Sequence, residues 1–404
     1  MGDMIRFQSW SPVLLAAIAA LAACSSSSSP TVHPADGGTV VGGDDAGADG
    51  AADGGPRTSG NPTGLWIDGL FAYPVTGLAD GGAPELEDTC PDVGDSAAST
   101  PMAFDGAGNL WVQDAGDGSI SVVMWSSAEL AAACSSGKPA RTIEVTPAGQ
   151  TAFEISSMAF DAQGTLWVAM PDGAILLGLT AAQIAATGTV VPKYAITSYP
   201  TNTAAELYAP QGIAFDASGN LWVANDYSVL EYKAATLAGA LAARDGGAQG
   251  PNSDAYLSTT AGEAATTNLG ASGPTGTGWP TFDNVSFDKA GNLWVVGSTN
   301  TGATSASYVS EFAKAGLSAL SATSTPSPML TLSQPAAEAS MGVTYLAIAF
   351  DAAGNVWLGA GTDVYRFPPA GLPSGAYDVD IANVPFLAKS LGFNPIPAGL
   401  PIQP

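Results

Sequence analysis

Histidine is almost missing from this chain: His33 is the only one in 404 residues, accompanied by three cysteines and by 11 basic residues against 36 acidic ones, a net charge of −25. Each shortage excludes a chemistry. Without an imidazole in a folded segment there is no Ser-His-Asp triad and no histidine-ligated zinc centre. The deficit of lysine and arginine repels nucleic-acid phosphates and anionic membrane faces, so nucleic acid is not a partner and membrane contact needs something other than charge. Cys24, Cys90 and Cys134 form no CxxC pair and have no histidine beside them, so they do not build a redox or metal site. No lysine-bearing phosphate loop or dinucleotide-type glycine motif is present. The apolar run from Pro12 to Ala23 is too short to cross a membrane as a stable helix.

That run has the form of an export signal. Arg6 precedes it, and it ends in Leu21-Ala22-Ala23-Cys24 followed by Ser25–Ser29, which resembles the lipobox of bacterial lipoproteins. The resemblance implies cleavage before Cys24 and lipidation of its thiol, with several acyl chains holding the protein stably at about 0.8 kcal/mol per buried methylene. The alternative is an ordinary secretory signal with an incidental cysteine. Residues 1–23 are therefore expected to be a signal peptide and 24–62, rich in Ser, Gly, Ala, Asp and Pro, a disordered tether that contains His33. The folded domain is expected over 63–404. In an exported protein, Cys90 and Cys134 are expected to pair as a disulfide between neighbouring repeats, the alternative being two buried thiols. The expected location is the cell envelope, anchored on the extracytoplasmic side.

What is abundant is one sentence written five times: MAFDGAGNLWV from Met102, MAFDAQGTLWV from Met158, IAFDASGNLWV from Ile213, VSFDKAGNLWV from Val285 and IAFDAAGNVWL from Ile348. The phenylalanines at 104, 160, 215, 287 and 350 are spaced by 56, 55, 72 and 63 residues, the mark of a structural unit copied in series. Two runs of strand-forming residues around Asp-x-x-Gly form a hairpin, with aspartate and glycine at the two ends of a type I turn. Asp105, Asp161, Asp216, Asp288 and Asp351 then accept hydrogen bonds from turn amides rather than hold calcium. In this register Ala103, Ala159, Ala214, Ser286 and Ala349 face Trp111, Trp167, Trp222, Trp294 and Trp357, a small residue against a large one, as close sheet stacking requires. Third strands are expected over 119–125, 174–179, 228–233, 308–313 and 363–367, and outer strands over 140–145, 193–197, 255–259, 329–332 and 376–381. The segment 261–277 is expected to be an exposed loop. Four antiparallel strands per repeat describe a blade of a β-propeller. Gly64-Leu65-Trp66-Ile67 is a repeat lacking its opening strand, and Leu391-Gly392-Phe393-Asn394 supplies that strand, so the expected fold is all-β: six four-stranded blades, one of them composite and closed by both ends of the chain.

The string Phe-Asp-x-x-Gly-Asn-Leu-Trp-Val is similar to NHL-type repeats and to gluconolactonase- and regucalcin-like propellers, over residues 64 to 400; streptogramin lyases share the pattern. The resemblance implies metal ligands four residues before each repeat aromatic, drawn from Glu, Asn and Asp. Those positions here are Thr100, Ser156, Gln211, Asp283, Leu346 and Lys389. Asp283 alone matches, which is too little charge for a hard divalent cation, and the catalytic histidine of a lyase is missing. A functional surface would gather Asp68, Asp114, Asp117, Asp172, Asn225, Asp226, Asn300 and Asp363 around the channel mouth, with Gln211, Asp283, Asn284 and Lys389 nearest the channel.

Three readings follow. The first is a monomeric, lipid-anchored binding or interaction module, without catalysis or cofactor, taking a protein, peptide or carbohydrate ligand. The second is a divergent metal-dependent lactonase or hydrolase with a divalent cation at Asp283. The third is a structural envelope scaffold. The anchor has a direct test: Cys24→Ser should move the protein from the membrane to the soluble fraction on cell fractionation, and unchanged membrane retention would refute lipidation.

Overall fold

Hairpin chemistry dictates the geometry of the repeat. In the computed structural model, Gly108, Gly164, Gly219, Gly291 and Gly354 close the first turn of five repeats with φ between 73° and 84°, a left-handed conformation that a side chain would strain. The structure describes residues 64–68, 71–74, 86–87, 101–114, 120–132, 134, 136–145, 154–197, 207–226, 228–235, 237, 257–258, 267–270, 279–300, 305–318, 320, 330–333, 344–369, 378–381, 388–394 and 396. The expected signal, the tether, Cys24 and His33 lie outside these residues.

The strands form six sheets. Blade 1 is Leu391–Asn394, Gly64–Ile67, Phe71–Pro74 and Leu86–Glu87, from channel to rim. Blade 2 runs Met102–Phe104, Leu110–Asp114, Ser121–Trp125 and Arg141–Val145, and blade 3 Ser157–Phe160, Leu166–Met170, Ile175–Leu179 and Tyr194–Thr197. Blade 4 is Pro210–Phe215, Leu221–Asn225, Ser228–Tyr232 and Thr267–Gly270; blade 5 is Trp279–Phe287, Leu293–Asn300, Ser305–Phe312 and Leu330–Ser333. Blade 6 is Tyr345–Phe350, Val356–Ala360, Asp363–Phe367 and Asp378–Ile381. Each innermost strand touches that of the next blade, and blade 6 returns to blade 1, so the ring is closed. The fold is a six-bladed β-propeller, and the C-terminal strand completes the first blade as the sequence reading expected.

The register is the expected one in all six blades: Ala103, Ala159, Ala214, Ser286 and Ala349 lie opposite Trp111, Trp167, Trp222, Trp294 and Trp357, and Gly392 lies opposite Trp66. Each tryptophan then meets the phenylalanine of the following blade. Trp66–Phe104, Trp111–Phe160, Trp167–Phe215, Trp222–Phe287, Trp294–Phe350 and Trp357–Phe393 have ring centroids 5.6–6.4 Å apart, five edge-to-face and the Trp167 pair tilted. The apolar interior accordingly divides into six cores, one in each seam between blades.

The turn aspartates do more than brace a turn. Asp216 Oδ1 accepts from the amides of Ser218 and Asn220, while its Oδ2 accepts from Asn220 Nδ2 at 2.8 Å and from the Trp222 indole N–H at 3.2 Å. Asp105, Asp161, Asp288 and Asp351 bind their own indoles at 3.0–3.1 Å. Asn109, Asn220 and Asn292 in turn accept from the amides of Ser127, Ala234 and Lys314, where the chain leaves the third strand.

Two expectations about the rim need correction. The outer strand of blade 4 is Thr267–Gly270, inside the segment read as a loop; Leu257–Ser258, read as that strand, instead pairs in parallel with Tyr194–Thr197 of blade 3. Gly188–Val190 likewise adds in parallel to Arg141–Val145 of blade 2. In both cases a connection covers the edge of the preceding blade before its own outer strand forms, which protects exposed backbone groups. A Leu-Ser dipeptide carries too little pattern to reveal which sheet it joins. Asp216→Ala should leave the Trp222 N–H and two turn amides without their acceptor. We expect a loss of about 3 kcal/mol, read as a lower urea midpoint, with Asp216→Asn losing less; equal midpoints for wild type and Asp216→Ala would refute the clamp.

Candidate functional site

The mouth of the channel is set by strand direction. Each innermost strand begins on the face where the second strand ends, so the approach to strand one and the turn between strands two and three share one rim. Asp68, Asp114, Asp172, Asn225, Asp226 and Asp363 lie on that face as expected, and Asn300 ends its second strand there. Thr100 and Asp117 fall outside the described residues.

Three of the six residues that lie three before a repeat aromatic turn out to be latches. Ser390 Oγ accepts from the Met102 amide at 3.2 Å, and Ser157 Oγ accepts from the Ile213 amide at 3.2 Å, in each case from the next blade. Asn284 holds the equivalent position in blade 5 and donates from Nδ2 to the Leu346 carbonyl of blade 6 at 3.2 Å. Blade 4 has Gly212 there, and a Cβ on it would lie 2.7 Å from Asn284 Cα, so the two inner strands close to near backbone contact. Asn284, expected as a ligand-binding residue, therefore spends its amide on holding blades together.

The positions four before the aromatic behave differently. Gln211, Asp283 and Leu346 each sit at a register shift of the innermost strand, between Pro210 and Gly212, Phe282 and Asn284, and Tyr345 and Ala347. These are bulges in three successive blades, and a bulge re-aims a side chain out of the ladder. The sequence offers no direct sign of them, because an inserted residue leaves the Phe-Asp-x-x-Gly motif untouched. Ser156 in blade 3 is committed, its hydroxyl donating to the Pro210 carbonyl at 2.8 Å. Lys389 is exposed; its amide, not its ammonium, makes the contact described here, donating to Asp68 Oδ1 at 3.0 Å.

Asp283 is the unusual member. As a residue it is half-buried, yet its Oδ2 is sealed from solvent and has no hydrogen-bond partner among the described residues. Burial, reinforced by the neighbouring Asp226 carboxylate, raises its pKa to about 7. Its charge, with burial the larger cause, pushes the Tyr308 phenol up. Asp226 has a φ of 51°, and its carbonyl accepts from the Phe282 amide, which ties the blade 4 turn to the blade 5 inner strand. Beside them Tyr208 is 65% exposed, although Asn225, itself buried, fixes its backbone by accepting from the amides of Tyr208 and Ala209. Sequence reading missed Tyr208; only its place just before the blade 4 inner strand could have signalled it.

A second acid is buried at the closure of the ring. Asp68 Oδ1 accepts from the Lys389 and Ser390 amides at 3.0 and 2.7 Å, and burial raises its pKa to about 8 despite those bonds. It joins the first and last segments of the propeller. Cys134 is buried and disulfide-bonded; Cys90 lies outside the described residues. Among the described residues no group of three or more metal-ligating side chains occurs, and no helix is long and apolar enough to cross a membrane.

No protein-family profile matches the chain, and no curated protein does. Solved structures give a distant likeness. A catalytically inactive virginiamycin B lyase from Staphylococcus aureus, solved with quinupristin, is 11% identical with a TM-score of 0.38, covering 69% of each chain. A protein of unknown function from Bacteroides caccae is 13% identical with a TM-score of 0.39, covering 72% of this chain and 85% of that one. PorZ, a surface component of the type-IX secretion system of Porphyromonas gingivalis, is 17% identical with a TM-score of 0.37, covering 71% of this chain but 35% of its own.

The raised acids give a signed pH dependence. A carboxyl whose folded pKa lies above its unfolded value of about 3.9 favours the fold below that value, and the benefit is lost as pH climbs through the folded pKa. Stability should therefore fall between about pH 4 and pH 7 on account of Asp283. The fall should continue to about pH 8 on account of Asp68. Asp283→Asn should flatten the first part and stabilise the protein above neutrality by about 1–2 kcal/mol after allowance for screening. Thermal melts of both proteins across this range check it; parallel profiles would refute the assignment.

Proposed function

We propose that this chain is a lipid-anchored β-propeller of the bacterial cell envelope, facing away from the cytoplasm, that binds a ligand at its channel mouth and does not catalyse a reaction on it. In this reading it is a monomer related to the NHL-repeat and gluconolactonase-like propellers, tethered through Cys24 and stapled by a Cys90–Cys134 disulfide. The observation that carries the reading is the row of bulges. Three neighbouring innermost strands turn Gln211, Asp283 and Leu346 out of the ladder at the positions where a metal-dependent relative would gather oxygen ligands, and these three offer one carboxylate, one amide and one apolar chain. Ser156 is already bonded to a backbone carbonyl, and Lys389 brings positive charge. That donor set does not fit a hard divalent cation, which needs six or more oxygens with several charged. It does fit a surface that distinguishes ligands by shape and hydrogen bonding.

The competing lactonase reading has one point in its favour, the unpartnered Asp283 Oδ2. Thermal unfolding with added calcium, zinc or chelator separates the two. A resident metal at one hundred times its dissociation constant would add about 2.7 kcal/mol of stability, whereas a binding module of this kind should show no change. Asp283→Ala should likewise leave hydrolysis of simple lactones at the buffer rate. Metal-dependent stabilisation that disappears in Asp283→Ala, together with lactone turnover, would overturn the proposal.

A further inference from the structure

We propose that the cleft between the first turns of blades 4 and 5 binds a small organic carboxylate, an acid group on an aromatic or short aliphatic body. The cleft lies on the face opposite the channel mouth, because innermost strands begin at the mouth and end in these turns. It therefore does not rest on the binding module proposed for the mouth. Its volume is about 160 Å³, and apolar cavities of about 150 Å³ take up benzene. Trp222 and Phe287, in edge-to-face contact across the seam, line it together with Leu317. Lys289 and Lys314 line it as well. Both lysines depart from the repeat. Lys289 follows the turn aspartate, where the other four copies have Gly106, Ala162, Ala217 and Ala352. Lys314 lies along Gly291, with Cδ, Cε and Nζ 3.0–3.4 Å from a Cβ built there. Ala181, Ala234 and Pro369 hold this place against the turn glycines of blades 3, 4 and 6. The Lys314 backbone is fixed, its amide donating to Asn292 Oδ1 at 3.0 Å.

The hydrogen-bonding groups around the cleft decide the charge of the ligand. Asp216 accepts from two amides, the Asn220 side chain and the Trp222 indole, which fills both of its oxygens. Asp288 accepts from the amide and side chain of Asn292 and from the Trp294 indole. Asn220 spends its own Oδ1 on the Ala234 amide. Glu231 is buried, with partners of its own. The lysines are the exception. Among the described residues neither the Lys289 nor the Lys314 ammonium makes a hydrogen bond or an ion pair. An ammonium donates three hydrogen bonds and accepts none. The charged acceptors around the cleft are thus committed while its charged donors are not, which suits a ligand that is rich in acceptors and negatively charged. A cationic ligand would meet two like charges, and a neutral sugar needs acceptors that are already taken. Inorganic phosphate would satisfy the ammoniums but leave the wall of Trp222, Phe287 and Leu317 against water. A carboxylate on an apolar body uses both.

The test is a ligand-observed NMR titration of the full chain with benzoate, against benzamide and acetate. Benzoate should bind in the millimolar range expected of so small a ligand. Benzamide keeps the ring without the charge, and acetate keeps the charge without the ring; each should bind at least about fivefold more weakly. Lys289→Met and Lys314→Met keep an unbranched apolar chain at exposed positions. Each should weaken benzoate binding about three- to tenfold. Ala290→Phe, at the exposed tip of the blade 5 turn, should fill the cleft and abolish binding. Lys138→Met, an exposed lysine of blade 2, should bind as wild type does. Absence of benzoate binding would overturn the proposal, as would benzamide or acetate binding as tightly. Unchanged binding by Ala290→Phe would also overturn it. So would equal losses for Lys138→Met and the two cleft lysines, which would mean diffuse attraction to surface charge.

Discussion

An indole wedged between two sheets makes two demands: its ring needs a surface to pack on, and its N–H needs an acceptor in a place water does not reach. The propeller meets both from a single repeat. The aspartate of the first turn takes the indole proton of its own blade, and the phenylalanine just before that aspartate packs on the indole of the preceding blade. Phe and Asp are adjacent in the chain, so one turn both completes a seam behind it and anchors the tryptophan that opens the seam ahead. Successive blades are thereby coupled without any long-range sequence signal. Closure follows from the same rule, because Phe393 packs on Trp357 and Gly392 leaves room for Trp66, which packs on Phe104.

Near the axis the constraint changes. Six strands converge there, and at Gly212 the inner strand of blade 5 comes so close that a Cβ would lie 2.7 Å from Asn284 Cα. Ser390, Ser157 and Asn284 in blades 1, 3 and 5 reach to the next blade, while Pro101, Gly212 and Ala347 occupy the same position in blades 2, 4 and 6. Small or chain-restricted residues thus alternate with hydrogen-bonding ones. The ring departs from this threefold order at the bulges, which are found in blades 4, 5 and 6 and which let their inner strands run on toward the mouth. The candidate site lies on that side because it is where side chains leave the ladder.

The fold was legible in the sequence because each element of the repeat has a local physical meaning: aspartate and glycine for the turn, a small residue facing tryptophan, strand formers between. Even the composite blade could be read, since a lone Leu-Trp strand at one end and a lone Gly-Phe strand at the other each lack what the other has. The indole clamp was not legible, because a turn aspartate satisfying amides looks the same as one that also takes a tryptophan proton. Asn284 and Asp283 are neighbours of similar chemistry, and only the register shift between Phe282 and Asn284 separates a latch from an outward-turned acid. Leu257–Ser258 shows the other limit, since a two-residue parallel addition depends on which edge is near and not on its own pattern.

The acidic composition acquires a more local sense from this. Of the 36 acidic residues, five are the turn aspartates, whose carboxylates are occupied by amides and indoles. Such carboxylates are compensated where they stand. Asp283 differs because its burial and its acidic neighbour both work against ionisation, so near neutrality it stands between two protonation states at a cost to the fold. Replacement by an uncharged residue would relieve that cost. The cost falls at a register shift of an innermost strand and not in one of the six seams where the fold is made.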